Sequence, residues 1–163
     1  MIIEDARRIL QLRCAIKAIE TTCKDLMVTS RIATLIDSIP GFATVCASEL
    51  AGEIGTLDRF QRESSLAMYL GMANLSNDSG KVKGSKKPRH VNRHAKGAMM
   101  AAVDQYRKAV PESQRYYDKK RAEGKKHNQA IRALGRHLCR VIFSMLKHDR
   151  TYQSREEESH DSS

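Results

Sequence analysis

The chain has 163 residues, a formal net charge of +10 at pH 7 and a pI near 9.7. This length allows one domain with a buried core, and the charge predicts an acidic partner, nucleic acid first and an anionic membrane surface as the alternative. No apolar run reaches the ~18 residues that span a bilayer and no signal-peptide segment opens the chain, which together predict a cytoplasmic protein. The four cysteines form no C-x-x-C pair, which argues against a zinc site and a disulfide framework.

Residues 1–29 are predicted to form an amphipathic, coiled-coil-like helix. Apolar residues recur there at alternating spacings of three and four, and they form the set Ile9, Leu12, Ile16, Ile19, Cys23 and Leu26. This pattern is typical of a heptad seam that packs on another helix, here one from a second chain. Because only about two and a half heptads are present, an ordinary amphipathic helix is an equal alternative.

The next segment begins a predicted helical domain over residues 30–152, with two helices joined by a sharp turn. A proline followed by Gly41 breaks the first helix, Thr44 can cap the second, and Gly55 ends it. The turn resembles a helix-hairpin-helix motif, in which backbone N–H groups contact a phosphate, so Gly41 is a candidate nucleic-acid-binding residue. Ala43 replaces the usual second glycine, and a tight turn between two packed helices explains the pattern equally well.

A short helix from Ser64 or Ser65 leads to a turn that carries Ser79 and runs directly into a basic segment. Residues 81–96 contain no acid and seven basic residues, namely Lys81, Lys83, Lys86, Lys87, Arg89, Arg93 and Lys96. Such an uncompensated run is typical of a surface that binds a phosphate backbone, and a solvated basic loop is the alternative. His90 and His94 have no further ligands nearby, so no metal site is predicted.

Three more helices are predicted, over residues 95–110, 113–123 and 127–147, before an acidic tail at 153–163 that we expect to be disordered. The last helix has a continuous apolar stripe. On another face Arg132, Arg136 and Arg140 repeat at every fourth position. Like charges at this spacing repel, so the arginines are either fully solvated or bind an anion. We take them as candidate nucleic-acid-binding residues.

Several short motifs occur together and in register. They are Ser38-Ile39-Pro40-Gly41-Phe42, Ala51-Gly52-Glu53-Ile54-Gly55, Asp58-Arg59-Phe60, the stretch Leu66 to Ala73, Asn77-Asp78-Ser79-Gly80-Lys81, Tyr116-Tyr117 and Gly124-Lys125. In this order they resemble the C-terminal domain of the IS110/IS116 insertion-sequence transposases, which are related to the Piv DNA invertases. The resemblance covers residues 31–152. Two elements depart from the family pattern, at 71–74 and 95–99.

The resemblance implies a serine-dependent DNA transposase or recombinase of a mobile element. In that family a serine in a Ser-Gly motif attacks DNA and becomes covalently linked to it, and the matching serine here is Ser79. An N-terminal RuvC-like half supplies acidic residues for Mg²⁺, and a structured guide RNA selects the DNA sites. Residues 1–30 cannot hold that half, so we expect no cofactor in this chain, Mg²⁺ only with an N-terminal half, and no recombination by the chain alone.

The sequence therefore predicts an all-α fold and a DNA-binding transposase fragment, with Ser79 as the nucleophile toward a phosphodiester. Its expected partners are DNA, a structured guide RNA, and either a second copy of the chain or an N-terminal transposase half, and no membrane. The alternative function is a non-catalytic nucleic-acid-binding module, which would act as a dominant-negative partner of full-length transposases.

Overall fold

A computed structural model describes residues 2–73, 75–79, 82–86 and 91–154, and for the two short ranges it describes the backbone alone. The fold is all-α, as predicted. Within these ranges the helices are α1 (Ile2–Met27), α2 (Arg31–Asp37), α3 (Thr44–Ile54), α4 (Glu63–Tyr69), α5 (Arg93–Ala109), α6 (Pro111–Ala122) and α7 (His127–His148). A 3-10 turn (Leu57–Arg59) precedes α4, and two strands, β1 (Leu75–Ser79) and β2 (Val82–Lys86), lie between α4 and α5.

Helices α5 and α7 form the centre of the core. α5 packs against α3, α6 and α7, and α7 also packs against α4. The buried side of α5 combines three alanines with three larger residues, namely Ala95, Ala98, Met99, Ala102, Val103 and Tyr106. The predicted apolar stripe of α7 is confirmed, because Ile131, Leu138 and Ile142 are at most 2% exposed. Burial of this stripe is the main hydrophobic contribution of α7 to the fold.

The first predicted helix is also confirmed, but it has little contact with the core. α1 extends from Ile2 to Met27, and of its residues only Met27 is buried. The end of α1 contacts α2 and α3. The leucines and isoleucines of the predicted seam from Ile9 to Leu26 are between 52% and 63% exposed. We call the six predicted positions the α1 seam.

Helix boundaries differ from the sequence predictions at several capping positions. Thr44 is the first residue of α3 and not its cap, because the N-cap is Ala43, whose side chain makes no hydrogen bond. α4 begins at Glu63, before either predicted serine. Asn92 caps α5 by accepting from the backbone N–H groups of His94 and Ala95 at 2.9 and 3.0 Å, so this helix begins two residues earlier than predicted.

The connection between α5 and α6 shows the same kind of difference. The helix predicted over residues 113–123 begins two residues earlier, with Pro111 as its first residue. Proline suits that position, since the N–H groups of a first helical turn have no partner within the helix. The predicted tail from 153 lies mostly outside the described residues.

Candidate nucleic-acid interface

Ser79 is the last residue of β1, in an antiparallel hairpin. The backbone pairing places Ser79 opposite Val82 and Asp78 opposite Lys83. The sequence predicted a turn here, and two strands are found on either side of it. Gly80 and Lys81 lie outside the described residues. Ser79 is thus within two residues of the point where the chain reverses.

Hydrogen bonds among three side chains join the two ends of the segment that carries the hairpin. Asn92, which follows β2, donates from Nδ2 to the hydroxyl of Tyr69 at 2.8 Å and to Oε2 of Glu53 at 2.5 Å. The Tyr69 hydroxyl in turn donates to the backbone carbonyl of Glu53 at 3.1 Å. The backbone N–H of Asn92 also donates to the carbonyl of Tyr69 at 3.1 Å. The chain therefore leaves α4 and enters α5 at one place, fixed against α3.

Gly71 allows this close approach of the two ends. Its φ of +68° lies in the left-handed region, which disfavours residues with a Cβ. A Cβ at this position would lie 2.7 Å from Cδ of Lys96 and 3.0 Å from Cγ1 of Val91. The glycine is thus required both by its backbone conformation and by the side chains that follow the hairpin.

The structure describes part of the predicted basic run. Lys83 and Lys86 belong to β2, opposite Asp78 and Leu75. Arg93 is exposed in the first turn of α5, and Lys96 is half-buried one turn later, with its aliphatic stem against Gly71. The predictions for Lys81, Lys87 and Arg89 fall on residues outside the described ranges. The run thus begins in the hairpin and ends on α5.

The three arginines of α7 differ in their ion-pair partners. Arg136 donates from both terminal nitrogens to the two carboxylate oxygens of Glu63 on α4, each at 2.7 Å. Nε of Arg140 lies 3.5 Å from the same carboxylate. These arginines hold the pKa of Glu63 below its ordinary value, the hydrogen bond from Arg136 being the largest cause. Part of the repulsion expected from the spacing is thus relieved by an acid that lies far away in sequence.

Arg132 and Arg136 both line an open cleft between α6, α7 and the segment just after α4, and Arg140 is not part of its lining. Lys125, Gln129 and His137 line the same cleft. Tyr116 of α6 forms the opposite wall, and its hydroxyl lies 3.1 Å from Nε2 of His137. We call this the α6–α7 cleft. The sequence did not identify its other residues, although the spacing of 129, 132, 133, 136 and 137 is that of one helix face.

Gly41, the candidate phosphate contact in the turn between α2 and α3, lies against α5. Its φ is +79°, and a Cβ there would lie 2.6 Å from the backbone nitrogen of Tyr106. Phe42 beside it is buried. Packing therefore accounts for a glycine at this position, and a role for Gly41 in binding nucleic acid stays a prediction.

Within the described ranges, no group of three or more His, Cys, Asp or Glu residues could hold a metal ion. Cys139 is buried in α7, and burial raises the pKa of its thiol to about 12. Cys14 is exposed on α1.

Among all the residues that the structure describes, no helix has the length and apolar character needed to cross a membrane.

The structure thus joins a basic, helical domain to a hairpin in which Ser79 ends the first strand. The family model described as "Transposase IS116/IS110/IS902 family" matches residues 33–118, just over half of the chain. This chain belongs to that transposase family. The match includes the hairpin, α5 and most of α6.

Three curated proteins of insertion elements are similar to the chain. It is 34% identical to an uncharacterized 43.6 kDa protein of element IS110 from Streptomyces coelicolor, over 85% of this chain and 35% of that protein. It is 36% identical to a 42 kDa protein of IS900 from Mycobacterium paratuberculosis, over 75% and 31% of the two chains. It is 29% identical to a 44.8 kDa protein of IS116 from Streptomyces clavuligerus, over 90% and 37%. The chain thus spans about a third of the length of these relatives.

Proposed function

We propose that this chain is the serine-bearing, C-terminal part of a transposase and that Ser79 attacks a DNA phosphodiester. The observation that carries the proposal is the placement of Ser79 at the end of β1, in a hairpin whose two ends are joined by Glu53, Tyr69 and Asn92. A nucleophile must be held in a defined position relative to the phosphorus atom, and a fixed base restricts the hairpin that carries it. The family of the chain supports the same assignment.

In the proposed step, the Ser79 oxygen forms a bond to phosphorus while the bond from phosphorus to one deoxyribose oxygen breaks. The hydroxyl proton leaves Ser79, and the departing deoxyribose oxygen takes up a proton. The product is a phosphodiester between the serine and one DNA end, and the reaction needs no redox partner. A serine hydroxyl is a weak nucleophile at neutral pH, so the charge that develops on the phosphate oxygens must be stabilised by cations.

The cations we propose for this purpose, and for holding the DNA backbone, are the basic residues 81–96. They begin immediately after the Ser-Gly pair, so DNA that contacts Ser79 also comes close to the first of these basic residues. Arg93 on α5 is exposed and extends this surface onto the helical domain. Phosphate contacts of this kind position DNA without reading its sequence. The sequence-selecting partner that we propose is a structured guide RNA.

We further propose that the chain associates through the α1 seam with a second copy. The seam presents six residues at heptad spacing, and its isoleucines and leucines are more than half exposed. In a parallel two-stranded coiled coil, Cys23 of one chain would face Cys23 of the other, whereas Cys14 lies off the seam. Mild oxidation should then cross-link wild-type chains. Cys23→Ser should prevent the cross-link and Cys14→Ser should not, and the reverse result would contradict this arrangement.

The nucleophile is tested by looking for a covalent protein–DNA product that survives denaturing electrophoresis. The chain is incubated with labelled insertion-element DNA and Mg²⁺, alone and together with a full-length transposase of the family. Ser79→Ala should abolish the labelled product of this chain while leaving DNA binding within about twofold of wild type. Ser76→Ala, in the same strand, is the matched control and should leave the product intact. A product that persists with Ser79→Ala would end the assignment.

Binding itself is measured by fluorescence anisotropy with duplex DNA and with a structured RNA over a series of salt concentrations. Contact with several phosphates predicts that the affinity falls steeply as salt rises. Measurable binding combined with no covalent product in any mixture would favour the alternative, a non-catalytic nucleic-acid-binding module. Absence of binding to both nucleic acids at low salt would contradict both functions.

A further inference from the structure

The α6–α7 cleft combines donors suited to an anion with an absence of acids. Lys125 and Arg132 provide two positive charges, Gln129 provides an amide, and none of the described residues that line the cleft is Asp or Glu. Arg136 is a third basic residue of the lining, and its two terminal nitrogens donate to the carboxylate of Glu63 at 2.7 Å. Cationic and amide donors around an open depression are the groups that proteins use to hold the oxygens of a phosphodiester.

The chain itself limits the distance between the cleft and the hairpin. Ala73 lines the cleft, and Ser79 follows six residues later. A fully extended chain of that length spans at most about 22 Å. This corresponds to about six base pairs of B-form DNA at 3.4 Å per step. A phosphate that reaches Ser79 therefore lies within reach of a strand segment of about six nucleotides that extends toward the cleft.

We infer that the α6–α7 cleft binds a backbone phosphate of the DNA strand that Ser79 attacks. The inference rests on the proposed function, since it is Ser79 that brings this strand near. It assigns Lys125 and Arg132 as the main contacts, with Gln129 as a further donor. Arg140 is not assigned to this site, because its Nε lies 3.5 Å from the carboxylate of Glu63 and it is not part of the cleft lining.

The charges around His137 make this residue a reporter of the cleft. Burial lowers the pKa of His137, and Arg140, Arg136 and Lys120 lower it further. Its neighbours on α6 are Tyr116, whose hydroxyl lies 3.1 Å from Nε2, and Lys120, and those on α7 are Arg136 and Arg140. Lys125 and Arg132 line the same cleft. A phosphate bound there would stabilise the charged imidazolium and raise the pKa of His137.

The experiment measures the affinity of the full chain for a fluorescent DNA oligonucleotide by anisotropy over a salt series. Arg132→Gln should weaken binding by about fivefold or more and reduce the slope of log affinity against log salt by about one. Lys147→Gln is the matched control, because it removes one charge from the same helix about 22 Å away. It should change the affinity by less than about twofold. Equal effects of the two substitutions would overturn the inference while leaving DNA binding by the chain intact.

A second readout localises the phosphate independently of the substitutions. In NMR titrations the pKa of His137 should rise when the oligonucleotide is added. An unchanged pKa of His137 at saturating DNA would also overturn the inference. A change with a structured RNA and none with DNA would assign the cleft to RNA and overturn it in this form. If the wild-type chain binds no DNA at all, the inference fails together with the proposed DNA contact.

Discussion

Helices α1 and α7 are the two longest in the described structure, with 26 and 22 residues, and both carry apolar residues at helical spacing. In α7 that stripe is buried against α4, α5 and α6. In α1 the corresponding residues are more than half exposed, and only Met27 joins the core. The difference shows that periodicity identifies an apolar face but does not identify what covers it.

The spacing itself distinguishes the two helices. The α1 seam follows a strict alternation of three and four, which gives a narrow stripe suited to one partner helix. The stripe of α7 includes adjacent pairs such as Val141 and Ile142, which widen it enough to contact several helices at once. A single second helix can cover a narrow apolar stripe, whereas a wide stripe must pack against several helices to be buried.

The largest expected contrast is between two cysteines, one in each helix. A thiol with a pKa of about 12, as in Cys139, has about 10³-fold less thiolate at pH 8 than an ordinary thiol, and it is buried as well. Cys14 in α1 is exposed. In the native chain, iodoacetamide should therefore modify Cys14 at least about 10³-fold faster than Cys139, as measured by mass spectrometry of the peptides. Comparable rates would mean that α7 is not packed as described, and unfolding in guanidinium should remove the difference.

Truncation of one isoleucine in each helix should separate their contributions to stability. Ile142→Ala removes a fully buried side chain of α7 and should lower the free energy of unfolding by about 2–4 kcal/mol. Ile16→Ala in α1 should change it by less than about 0.5 kcal/mol at concentrations where the chain is monomeric. Urea denaturation followed by circular dichroism measures both. Similar losses for the two variants would show that α1 is covered within its own chain.

The α1 seam is tested by placing charges on it. The double substitution Ile16→Asp with Ile19→Asp should abolish concentration-dependent association in sedimentation velocity, because two carboxylates would have to be buried between the helices. Leu10→Asp is the control, since Leu10 is 61% exposed but lies off the seam. An association that survives the double substitution would assign oligomerisation to another surface.

The smallest effect concerns the ion pair between α4 and α7. Glu63→Gln should lower the free energy of unfolding at pH 7 by about 1 kcal/mol or less, because the pair is partly exposed. Since the pKa of Glu63 is below its ordinary 4.5 in the folded chain, the stabilisation is present above about pH 4.5 and is lost as the pH falls through the lowered value. Denaturation at several pH values should show the two proteins converging in acid. Asp37→Asn, at an exposed position, should show a smaller difference at pH 7.

Much of the site could not be predicted because its parts come from distant positions. Glu63 pairs with an arginine 73 residues later, and Glu53 meets Asn92 across 39 residues. Neither acid has any local sequence signal for these roles. By contrast, Ser79 and the basic run are contiguous in sequence, so they could be identified as candidates directly, and their roles stay predictions.

The sequence alone determined the helical class, the apolar stripe of α7, the helix end at Gly55 and the family motifs, because each is encoded in residues at most a few turns apart. Only the tertiary structure decided that Arg132 and Arg136 line a cleft and that Glu63 pairs with Arg136 and Arg140. It also decided that Gly41 packs on α5, and that Tyr69 and Asn92 hold the base of the hairpin. These are properties of how helices pack, and packing depends on shape and charge complementarity between segments that the chain brings together only when it folds.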